Sequence, residues 1–317
     1  MRATVPISDL TISFNIIMFK IFNVNDNLVL LKGYLCYNLF AAIFKIRGVF
    51  MYRIDYHMHS NFSSDSEAEM EDMILSAIDK GLTHIALTDH VDFMYPDPDY
   101  PFLIDYDKYR KKAMGLIDKY SKKINIAFGV EMGLQPCCEK MVIDFLNEKH
   151  FDFVIGSTHC VAGLEMYGDS FYKGKKKEDA FSEYFEDVLN SVKTYDGFNV
   201  YGHLDYVNRY GGYADNSLRY IDYKDIIDEI LKELIKRGKG LDLNTSGFRY
   251  KIGYAHPQKD ILKAYKQFGG EIITTGSDAH KPQDVAADFD KAYALLAEVG
   301  FKYVTVFKDK KPEFVKF

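Results

Sequence analysis

The chain has 317 residues, 47% hydrophobic and 27% charged, an ordinary globular balance that can bury one large core or two small ones. A formal net charge of -6 excludes the basic field that a nucleic-acid backbone demands, so no nucleic-acid partner is expected. Cys36, Cys137, Cys138 and Cys160 form no C-x-x-C pair, which excludes a zinc knuckle or a redox motif and points to reduced thiols in a cytoplasmic protein.

Residues 1–50 read differently from the rest of the chain. The stretch 28–44 is apolar but broken by Lys32 and Asn38, short of the roughly 20 uninterrupted apolar residues that span a bilayer, so no membrane partner is expected. A secretory signal is not legible either, because Arg2 is the only early charge and no small-residue cleavage site follows the apolar run. The expectation is a non-native or disordered extension over 1–50, with Met51 as the true start and a membrane anchor as the competing reading. Residues 51–317 are expected to form the catalytic domain.

From Met51 the chain alternates short β-rich runs with longer amphipathic ones, the signature of a parallel α/β architecture. A first strand is expected over 52–59. Ser66 is a candidate cap for a helix over 66–80, stopped by Gly81. Further strands are expected over 84–90, 124–131, 151–159, 199–205, 240–246 and 271–280. Helices are expected over 107–122, 138–148, 178–193 and 223–236, then after Pro257 and over 284–299. The run 302–307 is read as an eighth strand or a closing one. Seven strand–helix units in series predict a TIM-like barrel, because open doubly wound sheets usually carry fewer.

Six of the histidines, His57, His59, His90, His159, His203 and His280, each fall at the C-terminal end of a predicted strand, the face on which barrel enzymes build active sites. Glu131 and Asp278 sit at the same height, and Asp65 lies in the loop after the first strand. His57 and His59 are two apart, as are Asp278 and His280, so each pair projects to one side of its strand. One histidine at a strand end is more often an ordinary hydrogen-bonded residue, and His84, His150 and His256 are read that way. That bland reading weakens when it must hold independently at many positions sharing one rim. Arg209 and Arg249 follow two of the predicted strands on the same rim and are candidate phosphate clamps, since guanidinium fits phosphate bidentately. Cys160 lacks a free basic partner and is read as an inert thiol. Tyr210-Gly-Gly-Tyr213 lacks the Lys-Ser/Thr of a phosphate loop, and the lysines of 173–177 read as a solvated loop.

The pattern His57-x-His59, Asp65, His90, Glu131, His159, His203, Asp278-x-His280 resembles the PHP (polymerase and histidinol phosphatase) family. The segments Asp-Tyr-His-Met-His-Ser, Gly-His-Leu-Asp-Tyr-Val-Asn-Arg-Tyr and Asn-Thr-Ser-Gly-Phe-Arg-Tyr look like its histidinol-phosphatase branch. The resemblance covers 51–317 and implies a distorted (β/α)7 barrel with two or three divalent metal ions. It implies His57, His59, Glu131 and Asp278 around one metal, Glu131 bridging to a second on His159 and His203, and Asp65, His90 and His280 around a third. Imidazole with carboxylate oxygen suits Zn, Mn or Fe. A carboxylate bridge would set two metals roughly 3.5–4 Å apart, the arrangement used for in-line displacement at phosphorus. The implied activity is hydrolysis of L-histidinol phosphate in histidine biosynthesis, with Asp65, His90 or a metal-bound water as candidate source of the leaving group's proton. The alternatives are a PHP phosphoesterase acting on nucleotides, oligonucleotide ends or phosphotyrosine, and a non-catalytic, metal-stabilised scaffold.

Overall fold

The computed structural model describes residues 54–317, so the expectation for 1–50 lies outside the described residues. In chain order the main elements are β1 (Ile54–Asp55), α1 (Met70–Asp79), β2 (His84–Leu87), β3 (His90–Val91), α2 (Tyr106–Tyr120), β4 (Asn125–Gly133), α3 (Glu139–Glu148) and β5 (Phe153–Ser157). A small hairpin of β6 (Cys160–Val161) and β7 (Leu164–Glu165) comes next, then α4 (Lys177–Thr194), β8 (Val200–Tyr201), α5 (Lys224–Lys236) and β9 (Gly240–Asn244). The chain ends with α6 (Ser246–Arg249), α7 (Lys259–Gln267), β10 (Ile273–Gly276), α8 (Phe289–Val299), β11 (Tyr303–Lys308) and β12 (Lys311–Lys316).

The strands pair in parallel in the order β1-β2-β4-β5-β8-β9-β10, with β3 a second short piece beside β4. The ends of this sheet meet. The Tyr56 N–H donates to the Thr275 carbonyl at 2.8 Å, the His59 N–H to the Ala279 carbonyl at 2.8 Å, and Met58 bridges Ala279 in parallel. This is the expected seven-position barrel. Every residue of β5 and β9 is buried, as it must be in strands covered on both faces. The outer helices supply that cover: α5 buries Ile227, Ile230, Leu231 and Leu234, spaced three and four apart on one stripe.

Three expectations need correction. Ser66 does not cap the first helix, which starts at Met70 after Glu69; its hydroxyl donates instead to the His280 carbonyl at 2.9 Å and ties two rim loops together. The run 302–307 is not a barrel strand. β11 pairs antiparallel with β12 in a separate hairpin whose Phe307 stacks on Phe153 at 5.0 Å, while Thr305 takes the Ile273 N–H. Phe153 and Ile273 begin their strands, so the hairpin closes the N-terminal end of the barrel, away from the histidines. The strands expected over 52–59, 199–205 and 271–280 are shorter than predicted, ending at Asp55, Tyr201 and Gly276. Beyond those ends the backbone leaves the ladder: His203 and Asp278 have φ of 23° and 54°, conformations that only a well-determined surrounding structure holds in non-glycine residues. Among the described residues no helix is long and apolar enough to cross a membrane.

Candidate metal centre

All nine predicted donors converge on the C-terminal rim. Glu131, on β4, is fully buried at their middle, and its two oxygens divide them. Oε2 lies 3.0 Å from His57 Nε2, 3.4 Å from His59 Nε2 and 3.2 Å from His90 Nδ1. Oε1 lies 3.0 Å from His203 Nε2 and 3.3 Å from His159 Nε2, and accepts the Ser157 hydroxyl at 2.6 Å. Asp278 Oδ1 faces the first group, 3.4 Å from His59 Nε2 and 3.7 Å from His57 Nε2. At the more open edge, Asp65 Oδ2 is 2.9 Å from His280 Nε2 and 3.7 Å from His90 Nε2.

This packing is poor for a plain hydrogen-bond network and good for cations. The His59 ring stacks on His90 at 4.2 Å and on His280 at 4.1 Å, an arrangement in which the imidazoles cannot all be charged. His59 Nε2 is buried without a hydrogen-bond partner while sitting between two carboxylates. Four overlapping triads of the cluster have ligand atoms within 4.8 Å of one another. The donor set therefore fits divalent metal ions. A fifth group, His150, Asp152 and Asp309, lies outside the rim and is largely exposed, and the Asp152 carboxylate is already taken by the N–H groups of Phe128 and Asp309.

The electrostatics are set by this geometry. Burial opposes ionisation of Glu131, but the imidazoles of His57, His90 and His159 overcome it and hold the carboxyl well below the usual range. Asp278 is held low in the same way, against burial, by His57, His59, His280 and Arg209. Burial, with His280 next to it, lowers His59. Burial lowers His90 and His203 to about 4, keeping both neutral. For His57 and His159 burial is outweighed by adjacent carboxylates, and both rise. Asp65 likewise outweighs burial at His280 and lifts it to about 8.

Several residues that carry the geometry were not anticipated. Asp242, inside β9, lies 2.9 Å from His57 Nδ1, and Asp92 lies 2.7 Å from His159 Nδ1. Each carboxylate takes the Nδ1 proton and leaves Nε2 for a cation, the usual arrangement behind metal-binding histidines. Ser63 does the same for His59 Nδ1 at 3.3 Å. The signal for Asp242 was visible: it is a carboxylate in the middle of Gly-Leu-Asp-Leu-Asn, at a wholly buried strand position. Two glycines keep these approaches open. A Cβ at Gly276 would stand 2.4 Å from His57 Cβ, and one at Gly202 would stand 2.3 Å from Ser157 Oγ.

Both arginines reach the rim. Arg209 is clamped between the Tyr206 and Tyr250 rings at 4.6 and 4.2 Å, with Nη2 donating to Ser246 Oγ at 2.5 Å and lying 3.6 Å from Asp278 Oδ2. Arg249, on α6, spends Nη2 on the carbonyls of Ser277 and Asp278 at 2.6 and 2.8 Å, bracing the strained turn that presents Asp278. Its Nη1 and the Arg209 Nε are buried without partners. Above them opens a cavity of about 980 Å³, lined by His90, His159, both arginines and a set of tyrosines. Of the remaining histidines, His256 pairs with Asp205 at 2.5 Å away from the cluster, and His84 and His150 are also absent from it. Cys160 is buried, which raises its thiol, in keeping with an inert role.

A closed parallel barrel with a mixed His/Asp/Glu cluster at its C-terminal rim describes the PHP domain, whose sequence profile matches residues 55–246, and the chain belongs to that family. Within the family it is 36% identical to the histidinol-phosphatase of Lactococcus lactis over 265 residues, 82% of this chain and 96% of that one. It is 31% identical to a probable histidinol-phosphatase of Clostridium acetobutylicum over 250 residues, 79% of this chain and 95% of that one. The crystal structure of the Lactococcus lactis histidinol phosphate phosphatase complexed with zinc, L-histidinol and phosphate superposes with a TM-score of 0.77 at 34% identity, covering 82% of this chain and 98% of that one.

Proposed function

We propose that the chain is a metal-dependent phosphomonoesterase that hydrolyses L-histidinol phosphate to L-histidinol and phosphate. The observation that carries this reading is the divided carboxylate of Glu131, with His57 and His59 at one oxygen and His159 and His203 at the other, in a chain that superposes on a relative solved with zinc, L-histidinol and phosphate.

The residues that would hold metal are His57, His59, Glu131 and Asp278 for one ion, Glu131, His159 and His203 for a second, and Asp65, His90 and His280 for a third. Zinc is the ion in the Lactococcus lactis structure, and the donor set also suits Mn or Fe. Bound divalent cations supply Lewis acidity to the phosphoryl group and make water acidic enough to attack near neutral pH. The protein's part is to receive and hold the substrate. Arg209 and Arg249 take the phosphate oxygens, the Arg209 guanidinium held in orientation by its two tyrosines. Water oxygen attacks phosphorus, the P–O bond to the alcohol breaks, and the proton that the water gives up ends on the leaving alkoxide. Asp65 or His90, 3.7 Å apart at the open edge, or another water would relay that proton.

The test is metal analysis of the purified protein followed by phosphate release from L-histidinol phosphate, a nucleotide, a phosphorylated oligonucleotide end and phosphotyrosine. Preferred release from L-histidinol phosphate, lost on chelation and restored by Zn or Mn, is the expected result. Preference for another member of the panel would replace the substrate, and no release from any member would leave the scaffold reading.

A further inference from the structure

Arg209 and Arg249 line the cavity over the centre, and so does the hairpin that follows His159. There the chain turns back through β6 and β7, pairing Cys160 with Glu165, and the Met166 N–H donates to the His159 carbonyl at 3.0 Å. Glu165 is thereby fixed beside a candidate ligand rather than on a free loop. Its half-buried carboxylate lines the cavity and accepts the Tyr95 hydroxyl at 3.3 Å. Tyr95 meets Phe102 edge-on at 4.8 Å, and Phe102 meets His90 edge-on at 4.9 Å, so one aromatic wall runs from the cluster to Glu165.

Other carboxylates in the cavity lining have other tasks. Asp97 accepts the Asp99 N–H in its own turn at 2.9 Å, Asp284 faces Arg249 Nε at 3.8 Å, and Glu67 is exposed. Glu165 has no Lys or Arg ion-pair partner among the described residues. A half-buried carboxylate with no Lys or Arg partner, bonded to an aromatic hydroxyl in a cavity that also holds two arginines, suits a ligand that is anionic at one end and cationic at the other.

We propose that Glu165, braced by Tyr95, is the specificity-determining residue that selects phosphomonoesters whose alcohol part carries an ammonium group. The inference rests on the reading of the site as a phosphomonoesterase and deepens it. The arginines and the metal cluster take the phosphate, and Glu165 takes the cation, so the substrate spans the cavity in one orientation. One hydrogen bond to a charged group changes binding by roughly ten- to a hundredfold.

The test compares matched substrates in the wild-type protein and in Glu165→Gln. One pair is L-histidinol phosphate and its N-acetyl derivative, and the other is phosphoethanolamine and ethyl phosphate. The wild type is expected to favour the ammonium-bearing member of each pair in kcat/KM, and Glu165→Gln to cut that preference by about tenfold or more, chiefly through KM. L-histidinol binding, measured by calorimetry on the metal-loaded protein, is expected to weaken by a similar factor. Tyr95→Phe is expected to give a smaller change in the same direction. A preference unchanged in Glu165→Gln, including the case where both rates fall by one factor, overturns the proposal. A wild type that shows no preference overturns it too. If L-histidinol phosphate is not hydrolysed while the phosphoethanolamine pair is, the substrate assignment fails, and the second pair still decides the role of Glu165.

Discussion

At the residue scale the centre depends on one carboxylate. Glu131 sits between two groups of imidazoles, with His57 and His59 at one oxygen and His159 and His203 at the other. Glu131→Gln keeps the shape and removes one charged oxygen, so metal content by elemental analysis is expected to fall and turnover nearly to vanish while the barrel stays folded by circular dichroism. Full metal stoichiometry with normal turnover would exclude the bridging role. The arginines belong to a different class of effect. Arg209→Ala and Arg249→Ala are expected to lower kcat/KM by about ten- to a hundredfold, since a hydrogen bond to a charged group is worth roughly 1.5–3 kcal/mol. Lys is expected to rescue only in part, because it carries charge without the planar fork. The two separate on metal content. Arg209→Ala should leave it unchanged, whereas Arg249→Ala also unbraces the turn at Asp278 and should lower it modestly. Unchanged kinetics in both Ala variants would remove the clamp assignment and leave the cluster standing.

At the element scale the barrel strands do more than carry ligands on their ends. β9 contributes no predicted ligand, yet its Asp242 holds the His57 ring from behind, and it also accepts the Thr274 hydroxyl at 2.8 Å. Asp242→Asn keeps the volume and loses the charge, so metal affinity is expected to fall about ten- to a hundredfold in a competition titration with a chromophoric chelator. An affinity equal to that of the wild type would make Asp242 a packing residue only. The candidate donors were legible in the sequence because strand ends, His-x-His and Asp-x-His, are local patterns. Asp242 and Asp92 were not assigned because their partners, His57 and His159, are 185 and 67 residues away, and no local period encodes that distance. The place of the final strand was left open for a related reason. A β-rich run such as Tyr303–Lys308 announces a strand, but whether it joins the barrel or caps its floor depends on which edge remains open.

At the scale of the whole molecule, the cluster sets buried carboxylates among imidazoles, and a cation and protons compete for the same donor atoms. In the metal-free protein, carboxylates raise His57 and His159 well above the ordinary imidazole value and His280 to about 8. A metal must displace the protons these imidazoles hold, and His280 gives its proton up as pH climbs through 8. Metal affinity is therefore expected to rise between pH 6.5 and 8.5, with protons released on binding. Calorimetry in buffers of different ionisation enthalpy reads that release directly. A flat affinity over this range would show that the histidines are already neutral before metal binds.

The sequence by itself determined the architecture and named the candidate donors that the rim brings together. Alternating β-rich and amphipathic runs leave few folds other than a parallel barrel, and a barrel presents every strand end on one rim. The tertiary structure alone decided which oxygen of Glu131 faces which histidines, that Arg249 braces the Asp278 turn as well as lining the cavity, and that Glu165 lines the same cavity as the arginines. These facts depend on side-chain directions where the backbone leaves the ladder, as at His203 and Asp278. There the chain follows the packing of residues distant in sequence, and local propensity no longer dictates its path.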